Sequence, residues 1–158
     1  MILVLLGTQK NSFVRLLDEI EKCIDSKVIT EEVVVQAGYT VFNSVKMKIL
    51  DFISQDELNS LLAQANIIIT HGGVGSILNG IKLEKKVIAI PRLAQYKEHV
   101  NDHQIQIVEK FNKQGYIIGI NNISNLAQAI KDINTFSPKK FESNTSNIIN
   151  IIDSFINK

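Results

Sequence analysis

Short apolar runs separated by helical patterns recur along the whole chain, and this alternation most narrows what it can fold into. Runs rich in Ile, Val and Leu lie at about 2–6, 32–37, 47–52, 67–70, 87–90 and 116–119. They are short and largely apolar, as expected for strands buried on both faces of a parallel sheet. Between them Phe13, Leu16, Leu17, Ile20 and Ile24 keep helical spacing. So do Leu58, Leu61, Leu62 and Ala65, after Ser54, a cap with Glu57 three residues on. Ile77, Leu78, Ile81 and Leu83 give another helix, and further helices are expected over about 100–113, 124–133 and 144–157. The last carries Ile148, Ile149, Ile152, Phe155 and Ile156 on one stripe, with Ile151 off it. The stripe suits packing on the chain's own sheet; docking of a partner is the alternative. The pattern predicts an α/β fold, a single doubly wound, mainly parallel sheet with helices on both faces. The 158 residues suit one domain over 1–158, with a break at Ser137-Pro138 that sets the final helix apart.

Within that frame the stretch Ile67–Ser76 carries the chemistry. An apolar run ends at His71, and Gly72, Gly73 and Gly75 follow, then Ser76 and a helical pattern. This is a strand entering a helix N-terminus through a tight turn. Such a turn exposes backbone N–H groups, the helix dipole adds partial positive charge, and glycines remove side chains that would keep a ligand away. The natural guest is a phosphate or diphosphate. In an open α/β sheet ligands bind at the carboxyl ends of the strands. That edge would gather Gly7-Thr8-Gln9, Gln36-Ala37-Gly38, His71 to Ser76, and Pro91-Arg92 with the loop behind them. The loop's polar run, through Glu98, His99, Asn101, Asp102, His103 and Gln104, can grip several hydroxyls at once, as a sugar demands. Its plainer reading is a solvated loop with Asn101 or Asp102 capping the next helix.

Other chemistries fit less well. A dinucleotide fingerprint follows the first strand, which here ends in Gly7-Thr8-Gln9, and no P-loop lysine pattern occurs, so NAD and ATP are poor candidates. His99 and His103 are spaced to share a helical face, but a pair is a weak metal motif. No nucleophile elbow supports a Ser–His–Asp triad. A net charge of +1, few aromatics and no Trp argue against nucleic acid. The lone Cys23 reads as a buried small apolar residue, in keeping with a reducing compartment. Met1–Leu6 is too short for a signal peptide or membrane span, so a cytoplasmic chain is expected. Lys82, Lys85 and Lys86 are expected to complement a helix dipole, with anionic lipid contact the weaker reading.

The strings THGGVGSILNGIKLEKKVIAIPR and EHVNDHQ, with LVLLGTQ and FVRLLDEIE before them, resemble the C-terminal donor-binding domain of GT-B glycosyltransferases (family 28-like). The similarity is nearest to short Alg13-like and bacterial exopolysaccharide or capsule (PssE-type) subunits. It implies half of a GT-B enzyme: a donor-binding catalytic subunit that moves a sugar from a UDP-sugar to a lipid-linked acceptor. A non-catalytic nucleotide-sugar-binding or stabilising subunit is the alternative. It implies no cofactor and no metal, and a membrane-associated Alg14-like (PssD-type) partner that holds the acceptor, supplies the base and recruits the chain to the inner face of the membrane. Carried over by position, Gly7 and Thr8 would lie at the diphosphate edge, and Gln36 and Gly38 would border the nucleotide. His71, Gly72, Gly73, Gly75 and Ser76 would hold the diphosphate, with His71 stabilising the leaving group. Gln104, with Asp102 or His103, would contact sugar hydroxyls. Asn79 stands where related domains usually carry an acidic residue for the ribose, so a charge-assisted hydrogen bond is missing.

Overall fold

The computed structural model describes residues 1–142, 150 and 152–154. Six strands form one all-parallel sheet: β1 (Ile2–Leu5), β2 (Val33–Gln36), β3 (Lys48–Leu50), β4 (Ile67–His71), β5 (Lys86–Ile90) and β6 (Ile118–Gly119), in the order β3-β2-β1-β4-β5-β6. The helices are α1 (Val14–Asp25), α2 (Gln55–Gln64), α3 (Val74–Lys82), α4 (His103–Lys113) and α5 (Leu126–Ile133).

Side-chain alternation along the strands divides the core. Ile2, Val4, Leu6, Ile67, Ile69, Ile88 and Ile90 face α1 and α5, packing with Leu16, Leu17, Ile20, Leu126 and Ile130. Leu3, Leu5, Ile68, Val87 and Ala89 face the other way, against Leu62, Ile77, Ile81, Val108 and Phe111 of α2, α3 and α4. Both faces of the central strands are therefore dry, which is why the sequence shows continuous apolar runs rather than alternation. Cys23 is buried in the first layer, and burial pushes its thiol pKa up, so it acts as an apolar filler.

The start of α2 follows the expected capping box: Ser54 Oγ accepts from the Glu57 amide (3.2 Å) and the Glu57 carboxylate accepts from the Ser54 amide (2.8 Å). Those bonds lower the Glu57 pKa. Lys82 does lie in the last turn of α3. Lys85 and Lys86 serve other helix ends: Lys85 Nζ donates to the carbonyls of Ala63, in the last turn of α2, and Ala65, just after it, and Lys86 Nζ to that of Asn134 after α5.

Several boundaries differ from expectation. β4 runs one residue further, through His71, so the imidazole is anchored by sheet pairing to Ile90. β6 is shorter than 116–119, because Tyr116 and Ile117 are buried ahead of the ladder. α4 begins at His103 instead of about 100, after a single 3-10 turn at Ala94–Tyr96. His99 is thus outside the helix, and the shared helical face with His103 does not form. Most of the helix expected at 144–157 lies outside the described residues; residues 150 and 152–154 are helical, and Ile152 packs half-buried on the layer of α2, α3 and α4.

The α3 packing makes a sharp prediction. A Cβ on Gly80 would meet Val87 Cγ2 at 2.5 Å and Ile68 Cδ1 at 3.2 Å. Gly→Ala inside a helix ordinarily stabilises by up to about 1 kcal/mol, but overpacking a rigid β-branched neighbour costs about 1–3 kcal/mol. Gly80→Ala is expected to be net destabilising, and urea unfolding of the two proteins checks the sign.

Candidate functional site

The sheet order reverses direction at β1 and β4. α1 leaves β1 toward one face and α3 leaves β4 toward the other, which opens a crevice at the carboxyl ends of these two strands. A cleft of about 410 Å3 lies there, lined by Leu5, Gly7, Thr8, Gln9, Gln36, Leu58, His71, Gly73, Gly75, Ser76 and Asn79. Eight residues expected as site residues from the sequence thus meet in one place, although they come from three separate stretches of chain.

The floor is His71, only 7% exposed. Its Nδ1 accepts from the Gly73 amide (3.0 Å) and lies 3.2 Å from Gln104 Nε2, and its Nε2 lies 3.3 Å from Ser76 Oγ. Burial, then the positive charge of Arg92, push its pKa from 6.5 down to about 4. The imidazole is neutral at physiological pH. Gly7, with φ +79°, turns the chain over this ring, and a Cβ there would sit 2.6 Å from Nε2. Both the backbone angle and the close approach require glycine.

The wall is the first turn of α3. Gly73 occupies the cap and offers no side chain, and the first turn has no acidic residue. The first intrahelical bond runs from the Ile77 amide to the Gly73 carbonyl (3.2 Å), so the amides of Val74, Gly75 and Ser76 have no partner within the helix. A Cβ added to Gly75 would meet nothing within 4 Å. Nothing in the protein itself demands glycine at that place; the open space is on the side of the cleft. Orphan amides, a helix dipole, a hydroxyl and a neutral imidazole N–H together suit an anion with several oxygens.

The remaining expected residues sit around this cleft in other roles. Gly38 approaches the Gly7 carbonyl so closely that a Cβ would be 2.4 Å from it. Gln36 Nε2 donates to the carbonyls of Gly7 and Asp51, both 3.2 Å, tying together the ends of β1 and β3. Gly72 packs against Gln104. Gln104 is itself 4% exposed, and its Oε1 accepts from the amides of Gly72 and Arg92, both 3.0 Å. It stands behind the imidazole, with its amide turned inward. Asp102 accepts from the Ala94 amide (2.8 Å), and Asn101 Oδ1 from the His103 amide (2.9 Å), so the helix-capping reading suits Asn101 and loop bracing suits Asp102.

A buried polar staple holds that loop, and sequence reasoning missed it. Arg92, 1% exposed, donates to the carbonyls of Leu6, Asn11 and Glu98 and stacks over Phe13 at 4.9 Å. Burial lowers its pKa to about 10, against the attraction of Glu98. The Glu98 carboxylate, also buried, accepts two hydrogen bonds from Arg15 (2.8 and 2.9 Å) and one from the Leu93 amide (3.0 Å). Arg15 and Glu98 lie 83 positions apart, so no local pattern could reveal the pair.

The imidazole gives a measurable pH dependence. Unfolded, it titrates at its ordinary value; folded, it takes its proton only near 4. The unfolded chain therefore binds more protons between these values, and stability falls as pH drops through this window. The expected loss from His71 is about 2 kcal/mol between about pH 8 and 5. Urea unfolding at both pH values should show it, and His71→Asn should remove that part of the slope. An unchanged slope in the variant would assign the effect elsewhere.

Known proteins share the fold of this chain. The UDP-N-acetylglucosamine transferase subunit ALG13 of Candida albicans is 26% identical over 113 residues, covering 72% of this chain and 37% of the relative. ALG13 of Candida glabrata is 29% identical over 123 residues, 75% of this chain and 59% of the relative. The chain thus spans between about a third and three-fifths of these relatives. In structure, the solution structure of ALG13 superposes with a TM-score of 0.62 at 18% identity, covering 96% of this chain and 93% of the other. Acinetobacter baumannii MurG gives 0.58 at 14% identity, covering 82% and 40%. The model of the glycosyltransferase family 28 C-terminal domain matches residues 1–158, and the chain belongs to that family.

Proposed function

We propose that this chain is the donor-binding subunit of a two-chain glycosyltransferase, with UDP-N-acetylglucosamine the best-supported donor. The observation that carries the reading is the uncapped first turn of α3 beside Gly75, whose open side faces the cleft. A diphosphate seated there would receive the amides of Val74, Gly75 and Ser76, the Ser76 hydroxyl and the His71 imidazole. The family, and the names of the ALG13 relatives, supply the sugar nucleotide. Asn79 lies one turn beyond Ser76 on the cleft lining, where it would offer a ribose a neutral amide.

In the proposed reaction an acceptor oxygen forms a bond to the anomeric carbon while the bond from that carbon to the diphosphate breaks. The electron pair leaves with UDP, and the donors around it stabilise the growing negative charge. The acceptor's proton needs a base. Among the described residues the cleft lining holds no Asp or Glu, and His71 takes up a proton only near pH 4. That supports a base on a second chain. Exposed large apolar residues support a face for one: among the described residues Tyr39, Val41, Phe52, Tyr96 and Val100 follow the carboxyl ends of β2, β3 and β5, on the edge that bears the cleft. We take the partner to be a membrane-associated Alg14-like chain that binds a lipid-linked saccharide and brings this subunit to the inner membrane face. Among the described residues no helix is long and apolar enough to cross a membrane. The place in exopolysaccharide or capsule assembly rests on the sequence resemblance.

Ligand-observed NMR with UDP, GDP, dTDP and NAD tests the reading. Selective UDP binding is expected. Ser76→Ala should weaken it roughly 10- to 150-fold, the worth of one hydrogen bond to a charged group. Gly75→Ala should leave the fold intact, or stabilise it by up to about 1 kcal/mol, yet lose UDP because the new methyl enters the cleft. Equal binding of UDP by all three proteins would overturn the site assignment.

A further inference from the structure

The inference rests on the donor-site reading and concerns how its imidazole is held. We infer that Gln104 is a positioning residue that locks His71 as the Nε2–H form, so that a neutral N–H donor points toward Ser76 and the cleft.

The argument is one of hydrogen-bond directions. Gln104 Oε1 lies 3.0 Å from two backbone amides, those of Gly72 and Arg92. Amide nitrogens only donate, so that atom must be the oxygen, and the amide group cannot flip. Its Nε2 is then a donor, aimed at His71 Nδ1 at 3.2 Å. The Gly73 amide aims a second donor at the same nitrogen, at 3.0 Å. A ring nitrogen facing two donors must present its lone pair. In a neutral imidazole the proton therefore sits on Nε2, which lies 3.3 Å from Ser76 Oγ. The second layer is rigid. Gln104 is buried, and the Arg92 amide it binds belongs to the residue whose side chain is fixed by the carbonyls of Leu6, Asn11 and Glu98.

The chemistry follows from the charge state. An imidazolium would bind a diphosphate more strongly in the ground state but would titrate with pH. A neutral N–H donor keeps the same form across the physiological range and strengthens as charge develops on the leaving oxygen. The charged or titratable groups recorded as acting on the ring are Arg92 and His99, and both oppose protonation. Among the described residues no carboxylate lines the cleft. Gln104→Glu changes this with almost no change of shape. A carboxylate still accepts from Gly72 and Arg92, but it turns a second oxygen toward Nδ1. Two lone pairs then face each other unless Nδ1 takes a proton.

The imidazole 15N and 13C shifts of the ligand-free protein read the state directly. The wild type should show Nε2–H, with no titration from about pH 5.5 to 8. Gln104→Glu should carry a proton on Nδ1 near neutral pH and titrate within or above that window. UDP-N-acetylglucosamine is a suitable binding probe, since its diphosphate diester does not titrate there. Its affinity should be flat with pH in wild type and fall several-fold from about pH 6 to 8 in the variant. An Nδ1–H tautomer or an imidazolium in wild type at pH 7 would overturn the proposal without any variant. So would identical His71 spectra in wild type and a folded Gln104→Glu protein. Expected imidazole spectra without any sugar-nucleotide binding would overturn the donor-site reading and leave the role of Gln104 standing.

Discussion

Every part of the site depends on one topological constraint, the reversal of strand order between β1 and β4. The right-handed crossover of a parallel sheet sends the chain to one face when it moves one way along the sheet and to the other face when it moves back. α1 and α3 therefore diverge from neighbouring strand ends, and a cleft lies between them. The turn after β1 and the turn after β4 are forced to face each other across it. Gly7 lies against the His71 ring because the two strands are in register, Ile2 beside Ile67 through Leu5 beside Thr70.

Beneath that crevice the protein keeps polar groups where apolar ones would fold as well. Arg92, Glu98 and Gln104 are all buried, and Arg92 Nε has no hydrogen-bond partner. Buried ion pairs contribute little net stability relative to well-packed apolar side chains, while loss of one partner costs about 3–5 kcal/mol. Their use here is directional. A leucine at Gln104 would fill the volume, but it could neither accept from Gly72 and Arg92 nor donate to His71. The network exchanges stability for orientation, linking the loop after β5, the turn after β4 and, through Arg15, the first helix.

The fold and much of the site were legible in the sequence, for separable reasons. The strands announced themselves because burial on both faces leaves uninterrupted apolar runs, and α2 because Ser54 and Glu57 form a local cap. The glycine turn was legible because close approach to His71, Gln104 and Val108 leaves a compositional trace at Gly72 and Gly73. What stayed hidden is long-range pairing: Arg15 with Glu98, Arg92 with the carbonyl of Leu6, and Gln104 behind the imidazole. The polar run from Glu98 to Gln104 reads as ligand-facing, yet much of its hydrogen bonding points inward. A string of residues does not reveal which way an amide turns. Gln9 and Leu58 also line the cleft, and Leu58 was read only as part of an apolar stripe.

The two neighbouring helix starts show what the chain gives up for function. α2 begins with a complete capping box; α3, packed on the sheet through Ile77, Gly80 and Ile81, begins with no side-chain cap. An absent cap forgoes about 1 kcal/mol, and a glycine inside the first turn with empty space around it forgoes up to about 1 kcal/mol more. Against a net stability of about 5–15 kcal/mol for a domain this size, that is a considerable concession. The protein clearly has the chemistry to cap a helix, since it does so at Ser54. Serine at position 73 would supply an oxygen to the very amides left open, but its Cβ would collide with the His71 ring, 2.2 Å from Cε1. The same imidazole that needs Gly7 on one side needs Gly73 on the other. The uncapped helix and the buried neutral histidine are thus one device: fitting the ring under the turn excludes a side-chain cap, and the amides that remain uncapped are the donors an anion would find.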